Sequence, residues 1–333
     1  MRSFITSIVL IFLLNIFIPL GKLEASEKKD QQQTDEDIYE ARMQLYKAMQ
    51  KKTDIDWRWI AAIDQYERTM TRAKPKYRKT EGTITQIYID KHKWAGVFNP
   101  NQNETDPKLI QFFGGIGKDG NNDGQAQLNS DEDLLYSLLK RVSHRGIDDD
   151  NIKIGVWDYY QNARAVNRIV QFQRIYAEFN TLNLKAHAFP LPKKSIYSYR
   201  STWGDRRGWG GKRIHEGTDI FAPYGTEVRS TCYGIIEVLG WNKYGGWRVG
   251  IRDLDNHYHY FAHLQGFNKE LKINQVVKPS DVIGWVGSSG YGKPGTSGKF
   301  PPHLHYGIYT DRGYVEWAFD PYPSLKKWER QGR

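Results

Sequence analysis

A chain in two parts, a mostly helical N-terminal domain followed by an all-β antiparallel domain, is the α+β multidomain class that this sequence predicts. Three observations carry it. The length of 333 residues exceeds one average domain. Apolar residues recur at helical spacing through 38–70 and again through 130–179. From about residue 226 the pattern changes to short β-forming runs punctuated by glycine. A hydrophobic share of 39% with 14% aromatics supplies real cores and argues against wholesale disorder.

The N-terminus sets the compartment. Arg2 precedes an apolar run from Phe4 to Leu20, broken by Thr6, Ser7 and Asn15, and Gly21–Ser26 follows. Residues 1–25 therefore read as a secretory signal peptide cut after Ala25, or as an uncleaved N-terminal anchor, since the run is near the lower limit for a membrane span. Either way the rest of the chain is exported, and contact with a membrane comes only through this segment. Lys and Arg outnumber Asp and Glu by 48 to 38, a formal charge of +10, so an anionic partner is expected. Export argues against nucleic acid and for a cell wall rich in carboxylates and phosphates. Cys232 is the single cysteine, so no intrachain disulfide forms, and a metal would be held by His, Asp or Glu.

Residues 26–37 are polar and read as a linker to a helical domain over 38–183. A helix begins near Thr34 or Asp35, with Ile38, Ala41, Leu45, Ala48 and Met49 as its apolar stripe. A second runs from Asp56 to about Met70 and is ended by Pro75. Thr83–Ile89 has strand character. Asp119–Gly124 is similar to the start of an EF-hand loop, but the twelfth position, where calcium needs a bidentate Glu, is Ser130, which favours a polar turn over Ca²⁺. Helices resume at 130–142 and 156–179. Phe189-Pro190-Leu191-Pro192 cannot be regular helix, so the second domain is set at 184–333. Its expected strands are 226–229, 234–239, 247–252, 258–262, 276–278, 282–286 and 304–309.

The chemistry concentrates in this second domain. His303 and His305 are two apart on a strand and share a face. His215 and Asp219 lie far upstream, where a loop enters a strand. One His, one Asp and a second His make a three-ligand zinc set that leaves a fourth place for water, as a catalytic site requires. The glycines from Gly284 to Gly292 have no helix after them and read as a turn bordering the cleft. Cys232 reads as a core residue, and His92, His144 and His187 as surface or core histidines. Trp247, Trp285 and Tyr291 either line the groove or pack in the core.

His215-x-x-x-Asp219, Phe261-Ala262-His263-Leu264 and His303-Leu304-His305, in that order, resemble the LytM/lysostaphin family of zinc metallopeptidases. The match spans roughly residues 187–322 and includes Ser201–Arg206 before the first motif and Gly284–Gly290 before the last. The resemblance implies a LytM-type fold, one Zn²⁺ held by His215, Asp219 and His305, and catalytic roles for His303 and His263. One of that pair would move the proton of the attacking water and the other would stabilise the oxyanion; their order stays open. The substrate implied is peptidoglycan, through its peptide stems or cross-bridges. Many members carry a Tyr before the first ligand where this chain has Trp209, Gly210 and Gly211. His257 and His259 share strand parity with His263 and are conceivable rival ligands, but the three-ligand set is complete without them, which favours reading them as exposed strand histidines.

The N-terminal half is similar to lytic transglycosylases in Trp57–Glu67, in Asp119–Gly124 with the helix after it, and in Tyr159-Tyr160-Gln161. That similarity would make Glu67 a general acid. The Gly-x-Met-Gln type segment of that family is absent, which favours a structural Glu67 and a placement or wall-binding domain. The arrangement of signal, helical domain and peptidase looks like the LytH-type L-Ala-D-Glu endopeptidases of Bacillus relatives, which act on the spore cortex in sporulation. Two alternatives stand beside it: a non-catalytic wall-binding scaffold or activator, and a bifunctional hydrolase using Glu67. Oligomeric state is left open.

Overall fold

The structure is a computed structural model and describes residues 20–73, 83–207, 213–311 and 315–331. The helical region contains α1 (Leu20–Thr53), α2 (Trp57–Ala73), the short α3 (Lys91–Ala95) and α4 (Pro107–Phe112), then α5 (Asp131–Val142), α6 (Asp149–Tyr160) and α7 (Ala163–Phe179). The last four start on residues whose side chains accept from amides two or three positions ahead: Asp106, Ser130, Asp148 and Asn162. Those bonds satisfy donors that the first turn of a helix leaves orphaned. Tyr46, Met49, Trp57, Ile60, Leu138 and Phe172 meet in one core.

Three sequence expectations are corrected here. Residues 26–37 are not a linker but part of α1. The expected helix over 156–179 is two helices: Gln161 turns left-handed at φ 50°, and Asn162 caps a new start. Thr83–Ile89 forms no strand. Its amides bond carboxylates instead of a ladder. Asp131 accepts from Ile84 at 2.7 Å and Thr85 at 3.1 Å, and Asp64 accepts from Gln86 at 2.6 Å. Asp64 is fully buried, which would raise its pKa. The Arg68 and Arg42 cations outweigh that and hold the carboxyl below the usual range.

Beyond Phe179 the chain becomes β. The strands are β1 (Ser198–Tyr199), β2 (Arg206–Arg207), β3 (Arg213–Ile214), β4 (Thr218–Phe221), β5 (Glu227–Arg229), β6 (Gly234–Asn242), β7 (Gly246–Asp253), β8 (His257–Phe267), β9 (Val276–Val277), β10 (Val282–Val286), β11 (His303–Asp311) and β12 (Glu316–Phe319); helix α8 (Tyr322–Gln331) follows. Ten strands make one antiparallel sheet with the path β1-β4-β11-β8-β7-β6-β9; β12 adds to β11, and β10 bridges β8 and β5. Strands β2 and β3 form a separate ribbon. One face of β8 and β11 buries Phe261, Leu304, Tyr306 and Ile308 under Leu325 and Trp328 of α8. A helical region followed by an antiparallel sheet is the fold class that the periodicity predicts.

The two regions pack together. Gln65 donates to the Leu254 carbonyl at 2.8 Å, Gln171 to Glu237 at 3.0 Å, and Phe179 meets Tyr233 edge to face. Arg168 pairs with Glu237 and, at 3.5 Å, with Asp311. Ile235 and Leu254 belong to the helical core. Among the described residues no helix is long and apolar enough to cross a membrane. The apolar run of residues 4–19 lies outside the described residues.

Candidate metal centre and substrate groove

Strands β4 and β11 run antiparallel with His305 opposite Asp219. His215 precedes β4 by a short turn through Gly217. A Cβ at Gly217 would lie 2.6 Å from His305 Cε1 and 2.7 Å from the Tyr306 carbonyl oxygen, so the turn needs glycine to come this close. The three side chains converge. His305 Nδ1 is 2.9 Å from Asp219 Oδ1 and 2.9 Å from His215 Nε2, and His215 Nε2 is 3.1 Å from Asp219 Oδ1.

The histidine tautomers follow from backbone carbonyls, which can only accept. His215 Nδ1 donates to Thr202 O, His303 Nδ1 to Pro301 O, and His263 Nδ1 to Ser289 O, each at 2.8 Å. In the neutral rings this leaves Nε2 as the lone-pair atom. Burial alone would raise the Asp219 carboxyl's pKa. The imidazoles of His215, His305 and His303 outweigh it and hold the group far below the carboxylate range. Two imidazole nitrogens and a carboxylate oxygen facing one point form a donor set that could hold a divalent cation, and it has the composition of three-ligand zinc sites.

His263 and His303 flank this triad. Ring centres are 4.9 Å apart between His263 and His303, and 5.9 Å between His263 and His305. Burial, reinforced by His303 and His305, pushes the His263 pKa well below that of ordinary imidazole, so this ring is neutral at physiological pH.

Strand parity misleads on β8. His263 sits at φ 61°, in the left-handed region, and the register with β7 and β10 shifts beside it. This break turns His263 to the groove with Tyr260 and Ala262. His257 and His259 stay with Phe261 on the other side. His259 bonds Asp253 at 2.9 Å and Tyr306 at 2.7 Å, and His257 lies 3.6 Å from Asp253. Neither belongs to the triad, in keeping with a ligand set complete without them, but His259 is buried and not the exposed strand histidine expected.

Glu67 is buried and accepts from the Tyr160 hydroxyl at 2.6 Å. Asp119, in the EF-hand-like loop, spends its carboxylate on amides of the same loop: Asn122 at 2.6 Å, Asp123 at 3.2 Å and Gly124 at 2.9 Å. Cys232 is buried in the sheet's core. His187 stacks on Trp328, and His144 pairs with Asp158. Trp209–Gly211 lie outside the described residues. What the sequence reading missed are the carbonyl tethers at Thr202, Ser289 and Pro301. Ser201–Thr202 and Ser289 stood inside the resemblance motifs, but a main-chain acceptor leaves no side-chain signal.

Residues 213–317 match the family model for peptidase family M23. Over 293 residues, 88% of this chain and 90% of the other, the sequence is 53% identical to an L-Ala–D-Glu endopeptidase of Bacillus subtilis strain 168. The chain belongs to peptidase family M23. Shorter matches include the glycyl-glycine endopeptidase ALE-1 of Staphylococcus capitis, 38% identical over 34% of this chain and 29% of that one. Lysostaphin of Staphylococcus simulans is 35% identical over 34% of this chain and 22% of its own. A solved LytM structure from Ruminococcus gnavus is 35% identical and covers 56% of this chain and 74% of that one, with a TM-score of 0.41. In this M23 peptidase the triad borders two hollows, and Tyr291 of the glycine-rich turn after β10 lines one of them. Ser289 of that turn donates to the Leu264 carbonyl at 2.6 Å and accepts from the Trp247 amide at 3.0 Å, which fixes the carbonyl that orients His263.

Proposed function

We propose that this M23 peptidase is an exported zinc endopeptidase that hydrolyses the L-Ala–D-Glu bond in peptidoglycan stems. The observation that carries the reading is the convergence of His215, Asp219 and His305 within about hydrogen-bond distance of one another, with two carbonyl-tethered histidines alongside. The choice of bond is supported by the 53% identity, sustained over both regions of the chain, to the Bacillus subtilis endopeptidase of that name.

His215, Asp219 and His305 are the ligands in this proposal. Zinc held there would supply Lewis-acid polarisation of the scissile carbonyl and a lowered pKa for water. The chain's own residues do the rest. His263 is kept neutral by burial and can accept a proton. His303 and His263 each spend Nδ1 on a carbonyl, so Nε2 is the atom of each that faces the reaction. A neutral ring of this pair takes the proton of the attacking water on its Nε2 and returns it to the leaving amine; its neighbour donates to the oxyanion when its Nε2 carries a second proton, as an imidazolium. The protein acts outside the cytoplasm, at the wall, with residues 1–25 as signal or anchor. The cortex of sporulating relatives is the setting that the bond specificity suggests.

Mass spectrometry of digested wall tests this directly. New N-terminal D-Glu is the expected product, together with one zinc per chain by metal analysis. New N-terminal Gly, or turnover undiminished after metal removal, would overturn the proposal.

A further inference from the structure

The triad lies between two hollows of opposite character. On one flank, a cavity of about 510 Å³ has His215 and Asp219 on its inner wall and Tyr199, Phe221, Arg200 and Arg206 around them. On the other, a hollow of about 150 Å³ is lined by Tyr244, Tyr260, Tyr291 and Tyr309, with Glu216 at its edge and no lysine or arginine among its described lining. Arg200 is braced by the Ser201 carbonyl at 3.2 Å and by Asp205 at 3.3 Å. Arg206 stands on β2, next in sequence to Asp205. The first flank thus sets the guanidinium groups of Arg200 and Arg206 against the carboxylates of Asp205 and the candidate ligand Asp219, while the second carries the carboxylate of Glu216 with no cation in its described lining.

We infer that the Arg200–Arg206 hollow receives the substrate residue on the leaving-amine side and recognises a free carboxylate on it. The inference rests on the proposed L-Ala–D-Glu cleavage. The amine released in that reaction belongs to the D-glutamyl residue, whose α-carboxylate hangs on the carbon bonded to the scissile nitrogen. Bond lengths alone keep that carboxylate within roughly 4 Å of the scissile nitrogen. It must therefore enter one of the two hollows beside the triad. Glu216 repels it from the tyrosine-lined flank, and guanidinium is the side chain best shaped to grip a carboxylate through paired N–H bonds. The L-alanyl side, with no charge near the bond, then lies against the tyrosines. A glycine bridge would offer these two guanidinium groups nothing to hold, so this pair separates stem cleavage from bridge cleavage.

The test uses two synthetic stem peptides that differ at one group: D-Glu with its α-carboxylate, and D-isoglutamine with a carboxamide there. kcat/KM is measured on both for the full-length enzyme and for Arg200→Gln, Arg206→Gln and the double variant, with zinc content recorded for each. The wild type is expected to prefer the carboxylate peptide by about 10-fold or more, and the double variant to bring that ratio close to one. Arg206→Lys should keep part of the preference, because charge survives while the paired N–H bonds do not. Equal wild-type rates on the two peptides overturn the inference, as do variants that slow both peptides by the same factor. Should the double variant fail to fold, the single variants and the wild-type ratio decide the matter in the same way. If the wild type opens neither peptide but cuts a glycyl-glycine peptide, the proposed function itself has failed and the subsite falls with it. Cleavage of both peptides without preference sinks the subsite alone.

Discussion

Two clusters of potential metal ligands lie on opposite faces of the same sheet. His215, Asp219 and His305 face the groove; Cys232, Asp253 and His259 lie on the far side, beneath α8 and the helical region. By residue type the second set is at least as good, since it adds a sulfur. The hydrogen bonds tell them apart. Asp253 accepts from the Asp255 amide at 2.9 Å, the His257 amide at 2.7 Å and His259 Nε2 at 2.9 Å, while His259 Nδ1 meets the Tyr306 hydroxyl. Its acceptors are therefore taken up in closing the 253–257 turn. Burial pushes the Cys232 thiol's pKa well up, away from the thiolate that a metal would need. In the groove, by contrast, the bonds to Thr202, Ser289 and Pro301 fix the outer nitrogens and leave lone pairs facing inward. A metal site is defined less by which ligand types meet than by what the rest of the chain has done with their lone pairs.

Four experiments would break or sharpen that contrast. The largest effect is expected from Asp219→Ala or His215→Ala. Each should lower kcat on purified wall on the order of 10³-fold or more and abolish bound zinc. A variant that keeps stoichiometric zinc would remove that residue from the ligand set. His303→Ala comes next: zinc retained, kcat down by roughly 10²- to 10⁴-fold, as for loss of a proton-transfer group. A normal rate would return His303 to a structural role.

On the other face the readout changes from activity to stability. Asp253→Ala strands the Asp255 and His257 amides and the His259 ring, so urea unfolding should show a loss of about 1–3 kcal/mol. Zinc content and kcat per folded molecule should be unaltered; loss of zinc would mean that the clusters are not distinct. The smallest effect is a pH dependence. Burial lowers the His259 pKa despite the Asp253 contact, so its neutral form belongs to the folded state. As pH falls below about 6.5 the unfolded chain takes up the proton first, and stability present above that pH is lost progressively below it. His259→Gln should flatten the fall in stability between pH 7.5 and 5.5 in the same unfolding assay. An unchanged slope would show that the ring does not titrate with folding.

Periodic features were readable in advance. The apolar stripe of α2, the acidic first turn of α5, and the alternation of Leu304, Tyr306 and Ile308 on β11 are local patterns that burial preserves, whereas of the stripe expected on α1 only Leu45 and Met49 are buried and Ile38 and Ala48 are exposed. Other features fail locally because their partners are remote. Thr83–Ile89 has strand composition, yet carboxylates at 64 and 131 claim its amides. Strands β1 to β3 and β12 are too short to impose an alternation, and exist because β4 and β11 offer edges to pair with or because β2 and β3 pair with each other. The break between α6 and α7 had its sign in the sequence, an Asn at 162 that can cap, but continuous apolar spacing across it hid the signal.

The residue types of the groove, their order and their family resemblance were determined by the sequence alone, because ligand chemistry belongs to side chains and motif spacing is written along the chain. Tertiary structure decided which way those side chains face. The left-handed turn at His263 parts it from His257 and His259, and main-chain carbonyls from three separate segments orient His215, His263 and His303. A backbone oxygen is the same in every residue, so only the folded path of the chain could show where these acceptors lie.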